Sequence, residues 1–329
     1  MYPQKVEEIT PQFLSVILDT PVHSVTYKSL KSQATNARSE MCVWLLDIYT
    51  NNDVIPLVAK KAISEGTKLE VLVYREILDP YHLPAPKLYY SIFEPSHSCY
   101  WIFISYENSS LIELSEDPWD SYCESICESI AQVHWTFKDK NIEKLFPWLK
   151  GNSFKQLESS YIIKVQSQLR KLPELNIEFP EAFMKHLSAF IEQLPSIATF
   201  INDLPLTITH GDFATFNMLL HGERVFLYDW EGTAFQPAAR DIAQLTHHQG
   251  IFNLDPIVNA YVDARKRLGE SPQEAEQLRE QCDKYQLWLI ATILSGIVAG
   301  QAGPYAEAML YEKVIFYRSL ELLTRWNLL

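Results

Sequence analysis

The first 65 residues contain no glycine; the chain has ten in 329 residues, beginning with Gly66. There is no G-x-G-x-x-G and no glycine followed by Lys-Ser/Thr, so neither a dinucleotide fingerprint nor a Walker loop is present. Gly296, Gly300 and Gly303 instead fall in helical sequence, where they suit close helix contacts. Five cysteines are too few and odd in number for a disulfide scaffold. Cys123 and Cys127 share a helix face, but no nearby Cys/His pair completes a zinc set, and reduced thiols in a cytoplasmic protein are expected. The longest apolar stretch, Leu287 to Ala299, falls short of the ~20 residues of a membrane helix. A basic segment leading into an apolar run is missing from the start, so no secretory leader is expected. Positive charge is also scarce. Lys and Arg number 28 against 41 Asp and Glu, a net charge of −13. That argues against binding a nucleic-acid backbone, suits solubility, and is compatible with a cationic small substrate.

The informative stretch is LTITHGDFATFNMLLHGERVFLYD, Leu206 to Asp229. Leu206–Thr209 is a short β-prone run, and Met218–Leu220 and Val225–Tyr228 are two more. The turn sequence HGER between the last two predicts a hairpin. A hairpin brings its open ends together, strands ~5 Å apart. Here those ends carry Asn217 and Asp229. An amide oxygen beside a carboxylate suits Mg²⁺, a hard cation that takes oxygen ligands. Asp212, in the preceding loop HGDFATFN, can reach the same spot from another backbone segment. One candidate base and two candidate metal ligands converge. The plain alternative is a surface hairpin with ordinary polar turn residues.

His-x-Asp-x-x-x-x-Asn followed by an Asp at a strand end is the catalytic-loop and metal-loop spacing of protein kinases. In the form His210-Gly211-Asp212, Asn217 and Asp229-Trp230-Glu231, it resembles the aminoglycoside phosphotransferase and choline kinase-like families. The resemblance implies an α+β, two-lobed protein kinase-like fold. A small N-terminal β-sheet lobe with one main helix (residues 1–104) would bind nucleotide. A larger, mostly helical C-terminal lobe (105–329) would carry catalysis and the acceptor. ATP (or GTP) and Mg²⁺ are the implied cofactors. Asp212 is implied as the base, with His210 supporting its loop.

Val22–Leu30, Val43–Tyr49 and Val54–Ile63 read as strands. The polar stretch between the first two would cover phosphates, where such folds commonly place glycine. Here Ser32, Thr35, Asn36 and Ser39 could donate side-chain hydrogen bonds, and Thr35-Asn36 resembles a Ser/Thr-Asn pair of the family. A plain hairpin loop is the alternative. In VIPLVAKKAI, Lys60 resembles the phosphate-gripping lysine, with Lys61 as the fallback; strand neighbours face opposite ways. Two solubility lysines on an edge strand would look the same. A helix over about Thr67–Leu78 carries Glu70 and Glu76. At 100° per residue only one can face the lysine. Glu70 fits the family pattern, but Thr67-x-x-Glu70 also reads as a capping box. After Leu88–Phe93 and Tyr100–Ser105, a strand pair, the connector Ser105, Tyr106 to Asn108 is where the families hold adenine.

Helices are expected over Trp119–Phe137, Phe154–Lys171, Glu181–Phe200, Pro256–Leu268, Ser271–Ile297 and Tyr305–Trp326. His134 matches a family histidine, and Asp241 a family aspartate that supports the catalytic loop and also suits an N-cap. The short span from Asp229 to Asp241 leaves no room for a protein-kinase activation segment. The acceptor implied is a hydroxyl of a small molecule: an aminoglycoside-like antibiotic, an amino alcohol or a sugar. A catalytically idle nucleotide sensor on the same fold is the rival. Neither a nucleic-acid nor a membrane partner is expected, and the oligomeric state stays open.

Overall fold

The computed structural model describes residues 5–30, 42–62, 65–94, 99–106, 110–111, 118–175, 177–249, 253–301 and 313–328. Ser32, Thr35, Asn36, Ser39 and Asn108 lie outside the described residues. The chain forms two compact units, one of Met1–Glu113 with Thr215–Thr233, the other of Leu114–Ala214 with Ala234–Leu329.

The first unit is built on a five-stranded antiparallel sheet. Its strands are β1 (Val22–Leu30), β2 (Cys42–Thr50), β3 (Val54–Ala62), β4 (Leu88–Glu94) and β5 (Cys99–Ser105), in the order β1-β2-β3-β5-β4. β3 is therefore the middle strand, paired with β2 on one side and β5 on the other. The edge-strand explanation for its two lysines is thereby removed. Helix α1 (Pro11–Leu18) starts with a Thr10 cap that accepts from the Phe13 N–H at 3.2 Å, and with Pro11 in its first turn. Its Leu14 packs with Leu46, Ile48, Leu57, Ala59, Trp101 and Phe103, side chains from three neighbouring strands. Helix α2 (Glu65–Val73) runs on as a π-helical turn through Tyr74–Leu78. Thr67 lies inside α2 rather than at its cap, so the capping-box alternative for Glu70 is not realised.

The same unit holds the expected hairpin. β8 (Met218–His221) pairs with β9 (Arg224–Leu227), Met218 opposite Leu227 and His221 opposite Arg224. Gly222 turns the corner at φ 61°, a left-handed conformation that glycine adopts without steric cost. β6 (Ser110–Leu111) pairs with the other edge of β8.

The second unit is mostly helical. Its helices are α3 (Pro118–Thr136), α4 (Ile142–Leu145), α5 (Ser159–Leu169), α6 (Glu181–Asn202), α7 (Ala239–Gln249), α8 (Asp255–Leu268), α9 (Pro272–Val298) and α10 (Val314–Arg325). α9 packs against α5, α6, α7, α8 and α10, and α3 packs along α8. Two strands, β7 (Leu206–Thr209) and β10 (Ala234–Pro237), form a small antiparallel ladder. α5 starts five residues later than its apolar pattern suggests. The reason is tertiary: the Phe154 N–H donates to the Phe235 carbonyl at 2.7 Å, and the Leu157 N–H to Asn202 Oδ1 at 2.8 Å. Those bonds tie Phe154 and Leu157 to other elements and keep both out of the helix. Among the described residues, no helix is long and apolar enough to cross a membrane.

Candidate active site

In the first unit, Lys60 and Lys61 point to opposite faces of β3. The Lys61 ammonium lies over the Trp101 ring, on the face that α1 covers. Lys60 is buried on the other face, with Nζ 2.8 Å from Glu70 Oε2, 2.7 Å from Asp229 Oδ1 and 3.0 Å from Glu231 Oε1. The structure thus brings Lys60 and Glu70 together, with Lys61 on the opposite face of β3 and Glu76 exposed on the π-helical turn. Burial alone disfavours the Lys60 charge. Glu70, Asp229 and Glu231 overcome that and hold the ammonium well above its ordinary pKa. Burial pushes the Glu70 carboxyl up, opposed by Lys60 and reinforced by the Asp229 charge.

Asp229 reaches this position through its backbone. It sits two residues beyond β9 at φ 62° and ψ 59°, a left-handed conformation that few residues other than Gly, Asn and Asp tolerate. The Tyr228 N–H donates to the Asn217 carbonyl at 3.1 Å, which closes the hairpin end and sets Asn217 beside the Asp229 segment. After Asp229 the chain makes a 3₁₀ turn, Trp230–Gly232, anchored by the buried Trp230, whose indole N–H donates to the Leu227 carbonyl at 2.8 Å. That turn returns Glu231 to the side of Asp229. One oxygen from each of Glu70, Asp229 and Glu231 lies within 4.8 Å of the others. Glu231 was visible in sequence only as the third residue of the DWE loop. The signal that could have singled it out is its i+2 offset from Asp229 across a tight turn.

Ser105 and Tyr106 end β5. The Ser105 N–H donates to the Lys87 carbonyl at 2.9 Å, its hydroxyl accepts from the Lys87 N–H at 2.9 Å, and the Tyr106 N–H donates to the Pro56 carbonyl at 3.2 Å. Both N–H groups are used in holding the sheet edge. A base read by backbone donors would need other residues of the connector.

In the second unit, His210, Gly211 and Asp212 follow β7. Gly211 has φ 81°, so this position in the loop favours glycine on steric grounds. Asp241, fully buried on α7, holds the loop: Oδ2 accepts from the His210 N–H at 2.7 Å and Oδ1 from the Gly211 N–H at 3.0 Å. Gln244, one turn further on, donates to the Gly211 carbonyl at 2.8 Å. His210 Nδ1 accepts from the Asp212 N–H at 3.3 Å, which curls the loop and leaves the Asp212 side chain half-buried. His134, on α3, meets Asp241 Oδ2 through Nε2 at 3.1 Å. Burial would raise the Asp241 carboxyl. Hydrogen bonds from the His134 ring and the Gly211 N–H hold it below its ordinary value instead.

Comparisons with known proteins can be set beside this geometry. The model of the phosphotransferase enzyme family matches residues 65–281, about two thirds of the chain. The chain belongs to that family. The expectation of a small-molecule phosphotransferase on a protein kinase-like fold stands. No curated protein matches the sequence. Among solved structures, aminoglycoside phosphotransferase APH(4)-Ia is similar with a TM-score of 0.53 at 14% identity, over 93% of this chain and 97% of that one. The streptomycin–ATP ternary complex of APH(2'')-IIa is similar with a TM-score of 0.50 at 15% identity, over 98% of this chain and 97% of that one. At such identities the likeness is one of fold.

Proposed function

We propose that this family member transfers the γ-phosphate of ATP to a hydroxyl of a small molecule. The observation that carries the reading is the Lys60–Glu70 pair on the middle strand, facing Asp229 and Glu231. Phosphoryl transfer asks the protein mainly for positioning and charge neutralisation. Lys60, braced by Glu70, would grip the phosphate chain. Asp212 would orient the acceptor hydroxyl and take its proton, with His210 shaping its loop.

Three carboxylates around one ammonium leave an excess of negative charge, and their oxygens are hard donors of the kind Mg²⁺ takes. The residues present therefore fit the metal. Asp229 and Asn217 would hold it, with Glu231 as a third oxygen donor and Glu70 retained by Lys60. Bound there, Mg²⁺ supplies charge neutralisation on the phosphates. The crystallised relatives were solved with streptomycin and ATP in one case and, in others, with hygromycin B and a nucleotide. Those ligands support trying aminoglycosides first as acceptors, then amino alcohols and sugars. ATP against GTP is part of the same trial.

The test is a screen for ADP formation with Mg²⁺ and a panel of hydroxyl compounds, with acceptor phosphorylation confirmed by mass. Acceptor-dependent turnover supports the reading. Tight nucleotide binding with no turnover on any acceptor would identify an idle nucleotide-binding protein instead.

A further inference from the structure

The buried polar chain behind the catalytic loop does not stop at His134. His134 Nδ1 lies 2.9 Å from the hydroxyl of Tyr261 on α8, and that oxygen lies 2.8 Å from Arg265 Nη1. Arg265 is ion-paired with Glu270. Glu270 takes Lys138 Nζ at 2.6 Å, and Lys138 also reaches Glu274 at 2.8 Å, in the first turn of α9. Every side chain from Asp241 to Glu270 is buried.

Donor chemistry favours one arrangement of the protons in this chain. Arginine has donors and no acceptor. The Tyr261 hydroxyl proton therefore cannot point to Arg265 and goes to His134 Nδ1. A nitrogen that accepts carries no proton, so His134 is neutral with its hydrogen on Nε2. That hydrogen is donated to Asp241 Oδ2, the oxygen that also receives the His210 N–H. Burial, with Arg265 and His210 nearby, lowers the His134 pKa against the raising pull of Asp241 and agrees with a neutral ring.

We propose that Tyr261 and Arg265 are positioning residues for the catalytic loop: they fix the tautomer and tilt of His134, and through Asp241 the geometry of His210 and Gly211 ahead of Asp212. Arg265 donates to the Tyr261 oxygen and so turns its hydroxyl toward His134. Glu270 and Lys138 hold Arg265 in place. A neutral hydrogen bond contributes only about 1 kcal/mol to stability, but small displacements of a loop can change a transfer rate far more.

The experiment uses the full chain labelled with ¹⁵N in histidine and in backbone amides. In the unsubstituted protein, His134 is expected to show a protonated Nε2 and an unprotonated, hydrogen-bonded Nδ1. Tyr261→Phe keeps the ring and removes the donor. It should move the His134 Nδ1 resonance and the His210 and Gly211 amides, and lower kcat for ADP formation from MgATP by about tenfold with KM for ATP unchanged. Arg265→Met should do the same, and Arg265→Lys should restore part of the rate. The inference is overturned if His134 is doubly protonated or protonated on Nδ1. It is overturned equally if Tyr261→Phe lowers the melting temperature but leaves kcat and the loop amides in place. Should Tyr261→Phe not fold, the two Arg265 variants decide on the same readouts. The kinetic arm rests on the proposed phosphotransfer, whereas the spectra do not. An unsubstituted protein without turnover but with the expected spectral coupling overturns the proposed function and leaves the relay standing.

Discussion

Lys60 Nζ is 2.7 Å from Asp229 Oδ1, as close as it is to its helical partner Glu70 at 2.8 Å. The proposed phosphate grip and the proposed metal ligand therefore share one charge-paired cluster, and each can be probed by removing the other's partner.

Asp229→Ala should abolish metal-dependent nucleotide binding while the fold persists. The hairpin ladder runs through residues 218–227 and does not need that side chain, and Lys60 keeps Glu70 and Glu231. Calorimetric ATP titrations with and without Mg²⁺, alongside a melting curve, check this. Unchanged Mg²⁺ dependence would remove Asp229 from the metal site.

Lys60→Ala should impair ATP use far more than Lys61→Ala, because the two face opposite sides of β3. It should also lower the melting temperature, since Glu70 is left buried and unpaired, and breaking such a pair costs about 3–5 kcal/mol. Lys60→Ala with Glu70→Gln should recover stability without recovering ATP use. Equal effects of the two lysine variants on KM for ATP would sink the assignment.

Asp212→Asn keeps the side-chain shape and removes the proton acceptor. General-base catalysis typically contributes ~10²–10⁴-fold, so transfer should fall by about that much with ATP affinity nearly unchanged. Steady-state rates and nucleotide titrations separate the outcomes. Near-normal transfer would reduce Asp212 to a loop residue, and loss of ATP binding would move it into the metal site.

Acid stability should depend on Asp255. Its carboxylate receives Arg325 at 2.7 Å and Arg318 at 2.9 Å, and Arg325, ahead of the opposing burial, holds its pKa well below the ordinary value. A carboxyl depressed in the folded state stabilises above its unfolded pKa of ~4 and loses that contribution as pH falls toward the folded value. Asp255→Asn should therefore lower the urea midpoint at pH 7 and shrink the drop seen on going to about pH 3. The carboxylate is partly exposed, so solvent screening keeps the effect modest. An unaltered pH dependence would show that the pair contributes nothing measurable.

The five strands of the main sheet were legible because their apolar runs alternate or sit between turn residues, whereas the two-residue β6 was too short to leave a pattern. The hairpin at Asn217–Asp229 was legible because its turn and its polar ends are local. The Lys60–Glu70 partnership was preferred but not fixed by sequence: a strand offers two faces, α2 and its π-helical continuation carry Glu70 and Glu76, and only packing selects between them. β10 escaped notice because Ala234–Pro237 has neither β-branched residues nor clear alternation, and it forms on the template of β7. The relay from His134 to Lys138 could not be read at all. It joins residues more than a hundred positions apart, and nothing in the local pattern around Tyr261 or Arg265 distinguishes them from ordinary residues of an amphipathic helix.

The first unit is not contiguous, because it needs Thr215–Thr233 as well as Met1–Glu113. Lys60 leaves the ribosome 169 residues ahead of Asp229. At ~5–20 residues per second that gap lasts about 10–30 s. Throughout it, Lys60 has Glu70 but neither of its hairpin-side carboxylates, and β6 waits for β8. The amino-terminal segment on its own is a fragment of a unit, and the nascent chain must hold it half-finished while the helices that precede the hairpin are still being made.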